Sequence, residues 1–161
     1  MSHSPSTEFA FEAWATPFED AAIDLIGVEF SGNGELSFRV RVLETGAIYR
    51  VNFEYVSAFR VLDEHGLLDI WEKTARLGGR PGNTTFRVRN HAWTEESPVS
   101  FAASDGWSYI AASDGYCIEV VATVPPTLAA EILNTPLVVP NLSSTRSATN
   151  LNSRKPEPDA E

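Results

Sequence analysis

The side chains best suited to chemistry in this chain are three histidines, one cysteine and scattered carboxylates. The histidines, His3, His65 and His91, lie far apart, and no two have the helical spacing that metal ligands use. We therefore predict no metal site and no cofactor. His65 follows Asp63 and Glu64, so we interpret it as a polar residue in a first helical turn, where carboxylates are favoured.

Nucleophilic catalysis would need an activated hydroxyl or thiol. Cys117 lies in an apolar run beside Ile118 and Val120, which predicts a buried structural thiol. A pair of carboxylates could act as acid and base, but the sequence does not show which carboxylates lie close together. Asp105 and Asp114 each precede a glycine, and this turn chemistry is a sufficient role for them. We predict no catalytic residue.

Arginine is much commoner than lysine in this chain, and three arginines fall at outward positions of a predicted hairpin. In the predicted register Arg41 faces Arg50, with Arg39 diagonal to both, so that like charges repel. One explanation is that acids such as Glu29 and Glu54 cover the same face. The other is that Arg39, Arg41 and Arg50 form a site for an anion or carboxylate, which guanidinium groups bind in a bidentate manner.

The composition predicts a single domain. The chain has 161 residues, of which 43% are hydrophobic, enough for one domain with a substantial core. Its net charge of −10 argues against a nucleic-acid partner and suits a basic one. A lone cysteine excludes an internal disulfide and favours a reducing compartment. No signal-peptide pattern or membrane-spanning run is present, so we predict a cytoplasmic protein without membrane contact.

Alternating apolar residues predict an antiparallel meander in the first half of the chain. It begins with a strand from Ile23 to Phe30, and a two-residue turn at Thr45 and Gly46 joins the next two strands. The predicted opposite pairs are Phe30 with Leu36, Val28 with Phe38, Ile26 with Val40, Val42 with Tyr49, Val40 with Val51, Phe38 with Phe53, and Leu36 with Tyr55.

A helix is predicted over residues 63–77, directly after a strand. Asp63 is the expected N-cap, and Gly78 with Gly79 ends the helix. Its predicted apolar stripe consists of Leu67, Ile70, Trp71 and Ala75. The predicted i,i+4 ion pairs are Asp69 with Lys73 and Glu72 with Arg76.

The second half of the chain predicts further strands. Residues 84–89, 107–112 and 116–124 alternate or are apolar, and residues 127–133 suit a short helix. The resulting fold prediction is α+β: a curved antiparallel sheet of about six to seven strands with at least one packed helix. The sequence does not decide whether this sheet is partly closed. We expect a flexible segment at residues 1–7, one globular domain over 8–140 and a disordered tail over 141–161.

Two runs, NFEYVSAFRVLDEHGLLDIW and CIEVVATVPP, carry a resemblance to a known kind of protein. The chain resembles small bacterial proteins that look like immunity proteins of polymorphic-toxin systems. This resemblance implies a non-enzymatic cytoplasmic protein that binds and blocks a cognate toxin, and the negative charge suits a basic toxin. The candidate binding surface is acidic and consists of Asp63, Glu64, Asp69, Glu72, Glu95 and Glu96.

Two alternatives remain at the level of the sequence. The first is a binder of a small anionic ligand, or an enzyme acting on one, that uses Arg39, Arg41 and Arg50 on the sheet. The second is a structural or scaffolding domain whose C-terminal tail carries the interactions.

Overall fold

The computed structural model describes residues 8–79 and 84–131. Within these residues, nine strands form two antiparallel sheets, accompanied by a few short helices. The predicted α+β class is confirmed, and neither sheet closes into a barrel. The predicted flexible segment at 1–7 and disordered tail at 141–161 lie outside the described residues.

The five-stranded sheet is called sheet A, and the four-stranded sheet is called sheet B. The strands are β1 Ala10–Ala13, β2 Ile23–Phe30, β3 Leu36–Val42, β4 Ile48–Phe53, β5 Val56–Asp63, β6 Thr85–Arg89, β7 Ser108–Ala111, β8 Tyr116–Ala122 and β9 Thr127–Glu131. Sheet A has the order β1-β6-β7-β8-β5, and sheet B has the order β2-β3-β4-β9. The predicted meander is therefore present as β2-β3-β4, but the chain then crosses to sheet A at Glu54 and Tyr55.

The predicted register of the β3–β4 hairpin was wrong by two residues. Arg39 lies opposite Arg50, and Arg41 lies opposite Ile48. The loop is longer than a two-residue turn: the Gly46 N–H donates to the Val42 carbonyl at 2.8 Å, and Gly46 has a φ of 70°. A shift of two residues keeps the same side chains facing the core, so the apolar pattern could not exclude it.

Strand β2 matches its predicted bounds but contains a bulge. Phe30 lies opposite Leu36 and Val28 opposite Phe38, as predicted. The register then shifts between Leu25 and Gly27, so that Leu25, rather than Ile26, lies opposite Val40. Ile26 is the extra residue of the bulge, a feature that bends a strand and redirects a side chain.

The predicted helix begins with one turn of 3-10 helix at residues 64–67 and continues as α1, Leu68–Arg76. The Asp63 carboxylate accepts a hydrogen bond from the Gly66 N–H at 3.0 Å, which confirms the predicted N-cap. Gly78 and Gly79 end the helix with positive φ angles, as predicted.

The buried face of α1 differs from the predicted stripe at one position. Thr74 is buried, whereas Ala75 is exposed. Thr74 is tolerated there because its hydroxyl donates to the Trp71 carbonyl at 3.0 Å. Lys73 points toward the Asn90 carbonyl, at 3.4 Å, rather than pairing with an acid on its own helix.

Two hydrophobic clusters separate three layers, which are sheet B, sheet A and the helices. One cluster lies between the sheets and includes Phe38, Phe53 and Ile118. The other lies on the opposite face of sheet A and includes Leu67 of the 3-10 turn and Ile70 of α1. Two short helices, α2 Ala92–Glu96 and α3 Pro98–Phe101, follow β6 in the chain.

The short helix predicted over residues 127–133 was wrong. Residues 127–131 form β9, which pairs with β4 at the edge of sheet B. The gain from hydrogen bonding to an open sheet edge outweighs the weak helical preference of a short segment that has alanines. Strand β1 similarly extends the other sheet by pairing with β6.

Candidate functional site

Sheet A carries a buried carboxylate on the face opposite sheet B. Glu119 of β8 is 1% exposed. Its Oε1 accepts a hydrogen bond from Ser108 Oγ at 2.5 Å and lies 2.6 Å from His91 Nε2. A carboxylate can only accept, so the imidazole carries its proton on Nε2. The other ring nitrogen lies 3.1 Å from the Thr94 hydroxyl.

Arg60 completes this network from β5. Its Nε donates to Oε2 of Glu119 at 2.7 Å. Its Nη2 lies 2.6 Å from the same oxygen, an ionic contact without hydrogen-bond geometry. The guanidinium also stacks on Trp93 of α2, with 4.6 Å from its carbon to the ring centroid. Both carboxylate oxygens therefore have partners, and the network attaches the start of α2 to the sheet.

The electrostatics of this network keep Glu119 ionised. Burial alone would raise the pKa of this carboxyl. The hydrogen bond and charge of His91, the charge of Arg60 and the hydrogen bond from Ser108 outweigh burial and lower the pKa below its ordinary value. A charged residue inside the otherwise apolar run of β8 was a signal for this site that our sequence analysis did not use.

The arginine face of sheet B carries its own counterions. Arg50 Nε donates to Oε1 of Glu131 at 2.9 Å, and its Nη1 lies 3.3 Å from Oε2 of Glu29. Arg39 Nη1 lies 3.9 Å from Oε2 of Glu131. The predicted compensation by Glu29 is thus present, and Glu131 adds to it because β9 pairs with β4. Arg41 is exposed and lies opposite Ile48.

A shallow cavity of about 260 Å³ lies beside this face and is lined in part by Arg50, Ser37 and Asn52. The Arg50 guanidinium also donates to the Ser37 hydroxyl at 3.1 Å. An anion entering this cavity would compete with the carboxylates of Glu29 and Glu131 for the same donors. The geometry therefore disfavours the predicted anion site of Arg39, Arg41 and Arg50, because carboxylates of the protein already accept from the Arg50 guanidinium.

The six acidic candidates divide into three groups. Asp63 and Asp69 have structural roles, because Asp63 caps the first helical turn and Asp69 Oδ2 accepts from the Ala92 N–H at 3.0 Å. Glu64 is half-buried at the start of that turn, and its backbone carbonyl accepts from the Trp71 indole at 3.1 Å. Three residues remain exposed on the helices: Glu72, Glu95 and Glu96.

An apolar groove of about 310 Å³ lies along the outer edge of β2. It is lined by Leu25, Ile26, Gly27, Val28, Val61 and Tyr116. Val61 is 41% exposed and Tyr116 is 63% exposed. Side chains alternate along a strand, so Tyr116 shares the face of buried Ile118 and Val120, which contact the core between the sheets. The groove is therefore a part of the inner face of sheet A that sheet B does not cover.

Two carboxylates are neighbours of groove-lining residues along a strand or across a ladder. Asp63 lies directly opposite Tyr116 in the β5–β8 ladder. Asp24 precedes Leu25 on β2 and is exposed. Asp63 was predicted as a binding residue from the sequence, but the groove was not, because Val61 and Tyr116 come from strands distant in the chain.

The remaining candidate residues from the sequence are Cys117 and His65. Cys117 is buried, as its apolar run predicts, and its thiol donates to the Ser113 carbonyl at 3.6 Å. His65 is 75% exposed beside Asp63. Among the described residues, no group of histidine, cysteine and carboxylate side chains could hold a metal ion. Within the same residues, no helix has the length and apolar character required to cross a membrane.

Comparison with known proteins adds no family to these observations. No protein-family model, no curated protein and no solved structure matches the chain.

Proposed function

We propose that this protein is a non-enzymatic protein-binding domain, an immunity-like inhibitor that binds a cognate basic toxin. The observation that carries the proposal is the apolar groove beside β2. Val61 and Tyr116 belong to a face that is otherwise core, and they leave apolar surface in water. Exposed apolar surface that is contiguous and has a polar rim is typical of a protein interaction site.

Charge supports a basic partner. The chain has a net charge of −10, and Asp24 and Asp63 lie next to groove residues. An acidic surface speeds the approach of a cationic protein and disfavours acidic competitors. Three further acids, Glu72, Glu95 and Glu96, are exposed on the helices and add to the negative charge of the described residues.

The proposal is tested by affinity purification of the tagged protein from its host cells, with and without the co-expressed product of the neighbouring gene. Bound species are identified by native mass spectrometry. The test variant is Val61→Arg, which places a cation in the groove. Its matched control is Val99→Arg, because Val99 of α3 is 85% exposed and does not line the groove.

We expect a stoichiometric protein partner that is released by salt. It should bind the wild type and Val99→Arg but not Val61→Arg. A partner that binds Val61→Arg as tightly as the wild type would exclude the groove. A small anion without a protein partner would overturn the proposal and direct attention to Arg39, Arg41 and Arg50.

A further inference from the structure

The outer edge of β2 is open. Among the described residues, β2 pairs only with β3, and no strand pairs with its other edge. A further strand beside β2 would lie over the inner face of sheet A, next to Val61 of β5 and Tyr116 of β8. Val61 and Tyr116 are exposed at this position. Four consecutive β2 residues, 25–28, line the groove, so the groove follows the strand edge itself.

The backbone of β2 has hydrogen-bonding groups aimed at this position. The Ser31 N–H donates to the Glu35 carbonyl, toward β3, at 2.9 Å. Bonding direction alternates along an antiparallel strand, so the N–H and C=O groups of Phe30 and Val28 point to the outer edge. Beyond the bulge, the Ala22 carbonyl accepts from Leu43 at 2.9 Å. The same alternation directs the Ile23 and Leu25 groups outward.

The side chains around this edge define the chemistry of a fifth strand. Apolar side chains on its inner face would cover Val61 and Tyr116. On its outer face, its nearest neighbours on β2 are Asp24 and Glu29, which are both exposed. Three arginines approach this face of β2 from β3 and β4: Arg41 is opposite Asp24, Arg50 lies 3.3 Å from Glu29, and the Arg39 guanidinium extends over Gly27. Basic residues suit the outer face of the added strand.

We propose that the groove binds an extended segment of the basic partner, which adds to β2 as a fifth strand of sheet B. The segment alternates apolar residues, facing Val61 and Tyr116, with basic residues, facing Asp24 and Glu29. This inference rests on the proposed function and specifies its binding mode. Strand addition takes affinity from main-chain hydrogen bonds and specificity from alternate side chains.

The bulge at Ile26 is compatible with this mode. Bulges on edge strands discourage uncontrolled pairing between copies of a protein. Here the bulge interrupts β2 near its middle and leaves a regular stretch from Val28 to Phe30. That stretch provides the outward-pointing groups of Val28 and Phe30 for pairing.

The test uses the full chain, labelled with ¹⁵N, and two synthetic peptides of roughly eight residues, the length of a strand. One peptide alternates lysine and valine. The other has the same lysines and valines arranged in adjacent pairs, so that its charge is equal but its two faces are mixed. Binding is followed by chemical shifts, and amide exchange is measured for Val28 and Phe30, with Ser31 as the internal reference.

We expect the alternating peptide to bind about tenfold more tightly than the paired one. We also expect it to slow exchange of the Val28 and Phe30 amides about tenfold or more, with little change at Ser31. Val61→Arg should abolish this difference between peptides, and Val99→Arg should preserve it.

Three results would overturn strand addition. Equal binding of both peptides would show attraction by charge alone. Peptide binding that leaves the Val28 and Phe30 amides unchanged would assign the groove to side-chain contacts. Protection of these amides before peptide is added would show that the chain itself or a second copy occupies the edge, and analytical ultracentrifugation separates those two cases. None of these results excludes a protein partner, so the proposed function keeps its separate test with Val61→Arg.

Discussion

The imidazole Nε2 of His91 lies 2.6 Å from the Oε1 of Glu119, and neither side chain reaches solvent. This contact joins the beginning of α2 to strand β8 of sheet A. Arg60 and Ser108 bind the same carboxylate. The network is thus a polar attachment between the helical layer and the sheet, on the face opposite the groove.

Removing this carboxylate should strongly destabilise the fold. Glu119→Ala leaves Arg60, His91 and Ser108 without their shared partner. Breaking a buried ion pair on one side typically costs about 3–5 kcal/mol of unfolding free energy. Urea unfolding measures this loss. The control Glu96→Ala, at an exposed position, should stay within about 0.5 kcal/mol of the wild type. A loss below about 1 kcal/mol for Glu119→Ala would contradict the role assigned to the network.

The same carboxylate should make stability depend on acid pH. Burial opposes ionisation, but His91, Arg60 and Ser108 together keep the pKa of Glu119 below its ordinary value. In the unfolded chain the pKa returns to about 4.3. The stabilisation is therefore complete above that value and is lost as the pH falls through the lower folded-state pKa. Unfolding free energies measured from pH 7 downward should decline more steeply below about pH 5 in the wild type than in Glu119→Gln. Parallel profiles would exclude the effect.

The arginine face should become an anion site when its main counterion is neutralised. The hydrogen bond that Arg50 donates to Glu131 raises the pKa of Arg50, and burial only partly opposes it. Glu131→Gln removes that charge, and because the pair is partly exposed we expect a stability loss of at most about 1 kcal/mol. Sulfate should then raise the melting temperature of the variant more than that of the wild type. Glu44→Gln, in the exposed β3–β4 loop, is the control, and equal sulfate responses in all three proteins would refute the prediction.

Two acids on α1 should behave differently. Asp69→Ala removes the acceptor for the Ala92 N–H and should cost about 0.5–2 kcal/mol, as the loss of a helix cap does. Glu72→Ala, at an exposed site on the same helix, should change the unfolding free energy by no more than about 0.5 kcal/mol. Urea unfolding of both variants checks this contrast. Similar losses would show that Asp69 does not anchor α2.

Local features of the sequence were sufficient for much of the fold. The bounds of β2, the Asp63 cap and the glycines after α1 were predicted from neighbouring residues alone. They depend on alternation, capping and backbone conformation, which act over a few residues. The hairpin register was not predictable in this way, because a two-residue shift preserves the buried face.

The sites depended on contacts between distant segments. His91 and Glu119 are 28 residues apart in the chain, and Glu131 reaches Arg50 over a separation of 81 residues. The groove joins β2 to residues of β5 and β8. The sequence by itself therefore determined most of the strands, the main helix and the sign of the charge, since these follow from local periodicity and composition, whereas β1 and β9 formed by pairing with sheet edges. Only the tertiary structure decided which charges are neutralised and which apolar surface remains exposed, because sheet pairing and layer packing bring together residues that no local pattern connects.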